Sequence, residues 1–141
     1  MEKTIEITKL LEKYKLQKTP CRKSILNLFL NTAHALSHQD IVNGLKTEFD
    51  RVTIYRTFNS FEGKGMIHKV IDSEGTAKYA LCAHDCTSEI HNDSHLHFSC
   101  SKCQKTICIE NCKIPEIKIP EGFQLQKLSL LAEGICKSCK K

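Results

Sequence analysis

Two Cys-x-x-Cys pairs, Cys100-Ser-Lys-Cys103 and Cys136-Lys-Ser-Cys139, constrain this chain more than any other feature. Each such turn brings two thiolates to one ion, and two turns complete a tetrahedral site. The soft sulfur set suits zinc. Four protein ligands leave no open coordination position, so the expected role is structural rather than catalytic. The pairs are 32 residues apart, more than in a compact zinc ribbon, so the site must tie two distant strands together. A redox pair, free buried thiols and an iron–sulfur cluster are the competing readings.

The remaining cysteines sharpen this expectation. There are nine in all, with seven histidines. The first nine residues lack the apolar core of a signal peptide, so a cytoplasmic location is expected. Disulfides are rare there, and metal ligation becomes the first explanation of so many thiols. No apolar run approaches the ~20 residues of a membrane span. Residues 1–81 hold one cysteine, with 13 Lys/Arg against 9 Asp/Glu; residues 82–141 hold eight, with 8 against 7. That shift places a domain boundary between 81 and 82. The positive excess lies in the cysteine-poor half and suits a polyanionic partner.

The first half reads as helices. Ile5, Leu10, Leu11 and Tyr14 recur at helical spacing. Thr19 is an N-cap with Pro20 at the first helical position, and an apolar helix follows to about Asn31. Cys21, behind Pro20, reads as structural or neutral. Ser37 caps a third helix that buries Ile41, Val42 and Leu45. A fourth runs from Asp50 to Glu62, with Val52, Ile54, Phe58 and Phe61 as its apolar side. Strands are expected at Met66–Ile71 and Ala77–Leu81, joined by the turn Asp72-Ser-Glu-Gly75. Helices followed by a β-hairpin are the layout of a winged helix-turn-helix, whose last helix enters the major groove. The fourth helix carries Arg51, Thr53, Tyr55, Arg56, Thr57 and Asn59, groups suited to phosphates and base edges. The competing reading is a solvated amphipathic helix.

The second half reads as β, with strands at His95–Ser99, Thr106–Ile109 and Phe123–Leu131. Pro115 and Pro120 leave no room for a long helix between the last two. His95 and His97 share one strand face just before the first Cys-x-x-Cys pair. With Cys82, His84, Cys86, His91 and Asp93 nearby, they point to a second metal site rather than to polar surface histidines. The overall expectation is an α+β chain: an N-terminal winged helix-turn-helix over 1–81, then a small C-terminal domain over 82–141 with a four-cysteine zinc site.

These residues resemble the ferric uptake regulator family of metal-dependent transcriptional repressors. The resemblance spans roughly residues 5–140. It rests on Leu16-Gln-Lys-Thr-Pro-Cys-Arg22, Val52-Thr-Ile-Tyr-Arg-Thr-Phe58, His95-x-His97-x-x-Cys100-x-x-Cys103 and Gly134-x-Cys136-x-x-Cys139. It implies a homodimer that binds double-stranded operator DNA, with residues 82–141 as a small α/β dimerisation domain and a regulatory metal at the domain junction setting the angle of the DNA-binding domains. Arg22, Arg51, Thr53, Tyr55 and Arg56 become the expected DNA contacts; Tyr55 can meet a thymine methyl, and Arg56 serves phosphates or the internal fold. His68 and Cys82, with 13 residues between them, resemble the zinc-uptake-regulator branch. Cys108 falls where relatives place an acidic ligand, and Glu110 is the fallback. A regulatory set of His68, Cys82, His97 or His95, and Cys108 favours Zn²⁺ over Fe²⁺ or Mn²⁺.

Two departures from the family are visible. Leu128 replaces a histidine of iron-sensing relatives. The segment Asn111–Gly122 is too short and proline-bearing for their long helix, which implies a reduced dimerisation domain. Cys86, His84, His91 and Cys112 have no assigned role; Cys82-Ala-His-Asp-Cys86 reads as a solvated insertion, with metal binding on a mobile loop as the competing reading. The rival functions are an iron- or peroxide-sensing member of the same family and a zinc-stapled interaction module without DNA binding. An enzyme is not expected: no HExxH or comparable motif appears, and the cysteine-rich sites look closed.

Overall fold

A computed structural model describes residues 2–81, 96–109, 112, 115–126 and 128–140. Four helices come first: α1 (Glu2–Lys13), α2 (Pro20–Asn31), α3 (His38–Leu45) and α4 (Arg51–Gly63). Local chemistry sets their starts. The Thr19 hydroxyl accepts from the backbone N–H of Arg22 at 3.4 Å, with Pro20 inside the first turn. Ser37 and Asp40 form a reciprocal capping box, with bonds of 3.0 and 3.1 Å. The Asp50 carboxylate accepts from the N–H of Thr53 at 2.7 Å.

The apolar stripes of these helices meet in one core, which includes Leu11, Ile25, Leu26, Ile41, Ile54 and Phe61. Two positions differ from the sequence expectation. Ile5 is exposed, and Ile7 one strip away is buried instead. Val52 is also exposed, while Thr57 turns inward. Thr57 is tolerated there because its hydroxyl donates to the carbonyl of Thr53 at 2.9 Å, four residues back.

The strands β2 (Ile67–Ile71) and β3 (Ala77–Leu81) form an antiparallel hairpin. Its turn is built by Asp72, whose carboxylate accepts from the N–H groups of Glu74 and Thr76, both at 2.9 Å. Gly75 takes φ +83° there, a conformation open to glycine. A two-residue strand β1 (Leu36–Ser37), too short to read from the sequence, adds to β3 and gives the order β1-β3-β2.

A second sheet holds β4 (Leu96–Cys100), β5 (Thr106–Ile109) and β6 (Leu130–Gly134) in the order β5-β4-β6. β4 and β5 are antiparallel; β4 and β6 are parallel. The strand expected at Phe123–Leu131 is displaced toward the C-terminus. Phe123 and Leu125 are exposed and lie outside any strand, because ladder pairing to β4 begins only at Leu130. The described residues between 112 and 122 form no helix.

Truncating the centre of the helical core should be severe. Phe61→Ala removes a fully buried ring and is expected to cost about 3–5 kcal/mol, read from urea denaturation followed by circular dichroism.

Candidate metal centres and nucleic-acid interface

The parallel pairing of β4 with β6 brings the two Cys-x-x-Cys turns together. Register sets Cys100 beside Gly134, so both turns leave the sheet at the same end. The Sγ atoms of Cys100, Cys103, Cys136 and Cys139 all lie within 4.8 Å of one another. Zinc–sulfur bonds of about 2.3 Å imply sulfur–sulfur edges of about 3.8 Å in a tetrahedron. Cys103 Sγ and Cys136 Sγ stand 3.7 Å apart, so the sulfur cage fits that ion.

The electrostatics of the cage agree with its geometry. The backbone N–H groups of Cys103 and Cys136 donate to Cys100 Sγ at 3.5 and 3.3 Å. These donors lower the Cys100 thiol to about 6, so it is largely thiolate at neutral pH. Hydrogen bonding to Cys136 and the crowding of the other sulfurs push Cys139 up to about 12. A divalent cation among the four sulfurs would offset that repulsion and favour the fully ionised set. Gly134 holds the approach to this cage. A Cβ there would lie 3.0 Å from Phe98 Cζ, and its carbonyl accepts from the N–H of Ser101 at 2.8 Å.

A second convergence lies between the sheets. His68 of β2 and His97 of β4 are both buried, and their Nε2 atoms face each other at 3.1 Å. Two imidazole nitrogens so close either share one proton or ligate one ion, since two N–H groups cannot face each other at that distance. A cavity of about 90 Å³ lies beside His97, lined also by Lys69, Val70, Ser129 and Leu130. Cys108 sits opposite His97 in the β4–β5 register, on the same sheet face. It also lines a separate cavity of about 220 Å³ with His34, Ala80 and Leu81. The other expected regulatory ligands, Cys82, His95 and Glu110, lie outside the described residues, as do His84, Cys86 and His91. Cys112 is exposed. Cys21 is buried and accepts from the Thr57 hydroxyl at 3.6 Å.

The remaining face belongs to α4. Arg51, Thr53, Tyr55, Arg56 and Asn59 are exposed along it, whereas Ile54, Phe58 and Phe61 are buried. Arg22 donates to the carbonyl of Gln17 at 3.0 Å. Arg22 and Arg56, with Thr19 and Thr53, line a groove of about 370 Å³ between α4 and the start of α2. Arg22 stands in the first turn of α2 and Arg56 in the second turn of α4, so the groove has two cationic side chains among its walls. Sequence reasoning missed His38. Its ring meets Tyr55 edge-on at 5.4 Å and Phe58 at 5.6 Å, and so restrains the tyrosine exposed at the helix surface. Only tertiary packing sets that contact.

These features define a winged-helix protein with a cysteine-walled ion site beside its hairpin. The sequence profile of the Ferric uptake regulator family matches residues 13–133. The ferric uptake regulation protein of Staphylococcus aureus is 29% identical over 141 residues, covering 97% of this chain and 98% of its own. Among solved structures, a zinc uptake regulator complexed with zinc and DNA superposes with a TM-score of 0.69 at 19% identity, over 99% of this chain and 95% of that one. The Helicobacter pylori ferric uptake regulator gives 0.60 at 17%, over 99% and 93%. The chain belongs to the ferric uptake regulator family. It is a metal-responsive transcriptional regulator rather than an enzyme. No helix among the described residues is long and apolar enough to cross a membrane.

The close approach at Gly134 gives a direct check. Gly134→Ala should force Phe98 aside and cost about 1–3 kcal/mol in chemical denaturation.

Proposed function

We propose that this protein is a homodimeric, zinc-responsive repressor of metal-uptake genes. In this reading residues 1–81 form the DNA-binding domain and residues 82–141 the dimerisation and metal-binding domain. Four cysteines, Cys100, Cys103, Cys136 and Cys139, retain a structural zinc. A second, exchangeable ion is held by His68 and His97 with Cys82 and Cys108, and with His95 or Glu110 as alternative ligands. α4 lies in the major groove, where Thr53 and Tyr55 read bases and Arg22, Arg51 and Arg56 take phosphates.

The observation that carries the reading is the buried His68–His97 pair. His68 belongs to the hairpin and His97 to the strand that enters the four-cysteine cage, so an ion between them fixes one sheet against the other. A ligand that binds the DNA-competent arrangement more tightly must raise DNA affinity by the same factor. Imidazole with thiolate favours zinc over manganese. The zinc uptake regulator with bound zinc and DNA shares the fold, which supports the same mode of docking here. Iron is the second reading, favoured by the ferric names of the curated relatives.

Operator binding by protein stripped of its exchangeable ion should be compared with Zn²⁺, Fe²⁺ and Mn²⁺ under anaerobic conditions. Zinc should restore binding at the lowest free concentration. Activation by Fe²⁺ with Zn²⁺ inert would transfer the assignment to iron.

Substitutions should separate the parts. His68→Ala is expected to abolish the metal response while one zinc per protomer stays bound. Cys136→Ser should instead lose that zinc and lower the melting temperature. Tyr55→Ala with Arg56→Ala should remove operator binding, seen by electrophoretic mobility shift, while dimer and zinc content persist.

A further inference from the structure

Beyond His68, the hairpin meets the chain that follows the first Cys-x-x-Cys turn, on the same face and one cross-strand pair of that face further along. Lys78, on β3, places its ammonium 3.2 Å from the Asp72 carboxylate, and the two side chains are only 12% and 5% exposed. The same ammonium donates to the backbone carbonyl of Gln104, the residue after Cys103. Beside it, the hydroxyls of Ser73 and Ser99 are 3.2 Å apart. Ser99 is buried and directly precedes Cys100.

Each partner is held firmly on its own side. Burial opposes ionisation of Asp72, but the Thr76 N–H, the Lys78 ammonium and the Glu74 N–H outweigh it and keep the carboxyl below its ordinary value. Gln104 sits at φ +64° and donates its N–H to the carbonyl of Cys100 at 3.0 Å, so its carbonyl direction follows the Cys100–Cys103 turn. That turn is shaped by the sulfur cage. The hairpin turn, one lysine and the metal-binding turn therefore form one continuous chain of polar contacts.

We propose that Lys78 is a positioning residue through which the four-cysteine centre sets the orientation of the DNA-binding hairpin. This rests on the reading of that centre as zinc-loaded and of the hairpin as a wing. The four-cysteine zinc then acts beyond local stapling. It presents the Gln104 carbonyl to Lys78, and Lys78 in turn fixes the Asp72 turn. The His68–His97 pair holds the same face of the hairpin, one cross-strand pair of that face further along, so the wing has one permanent anchor and one exchangeable anchor.

The test uses full-length, zinc-loaded protein and the variants Lys78→Met and Lys78→Arg. Amide hydrogen exchange is followed over residues 72–78 and over α2 and α4. In Lys78→Met the hairpin amides should exchange about tenfold faster, the scale of one lost charge-assisted hydrogen bond, with the helices unchanged and one zinc per protomer retained. Affinity for a duplex selected by the wild-type protein from a random library should fall about tenfold with it. Lys78→Arg should restore most of both. In a Cys139→Ser background, which releases the zinc, the Lys78→Met change should add nothing further to hairpin exchange. Wild-type exchange rates in loaded Lys78→Met overturn the proposal, as does loss of zinc from that variant, which would make Lys78 part of the cage instead. Where Cys139→Ser does not fold, the zinc-loaded comparison decides. Exchange requires no DNA, so a failure of the DNA-binding reading appears separately, as absence of selected duplexes with the wild-type protein.

Discussion

The small sheet of β4, β5 and β6 is arranged around four sulfur atoms that repel one another when ionised. Their convergence within 4.8 Å requires two chain segments to leave a sheet side by side. An antiparallel pair would send them out at opposite ends. The parallel β4–β6 pair sends both out at the same end, and β5 fits on the free edge of β4 as the return of the first Cys-x-x-Cys turn. The small sheet is thus the simplest scaffold that satisfies the cage.

The N-terminal half is stabilised differently. Its helices start on side-chain caps and close on a continuous apolar core, and no metal is needed to account for them. What joins the halves is a short set of polar contacts. The N–H of Ala35, just before β1, donates to the carbonyl of Thr106 in β5 at 2.7 Å. The His68–His97 pair, the Ser73–Ser99 contact and the Lys78–Gln104 bond add to it. Directional polar contacts of this kind are suited to switching, because an ion or a proton changes them without unpacking a core.

The helices, the hairpin and the four cysteines were legible because each carries a local signal: caps, period-3.6 apolar positions, an Asp…Gly turn and paired thiols. The misreadings lay where neighbours decide. Val52 looked apolar enough for the core, yet α4 is rotated so that Thr57, with its hydroxyl satisfied in-helix, takes the inner place. Phe123–Leu131 alternates like a strand, but only Leu130 onward finds β4 as a partner. β1 is two residues long and exists because β3 is there to receive it. His38 carried no sequence signal at all, since its role is a ring contact with Tyr55 on another helix.

The sequence alone determined the two cysteine turns, the capped helices, the family and hence the class of regulator, because those depend on residue type and spacing along the chain. The family resemblance groups His68, His97 and Cys108; tertiary structure decided that the His68 and His97 rings meet through their Nε2 atoms and that Cys108 lies across the ladder from His97. It also decided that a lysine in the hairpin reaches the carbonyl behind Cys103. The His68–His97 and Lys78–Gln104 contacts join residues 29 and 26 positions apart across two sheets, while Cys108 meets His97 within one. Their distances follow from strand register and from the packing of one sheet on the other, which no local pattern encodes.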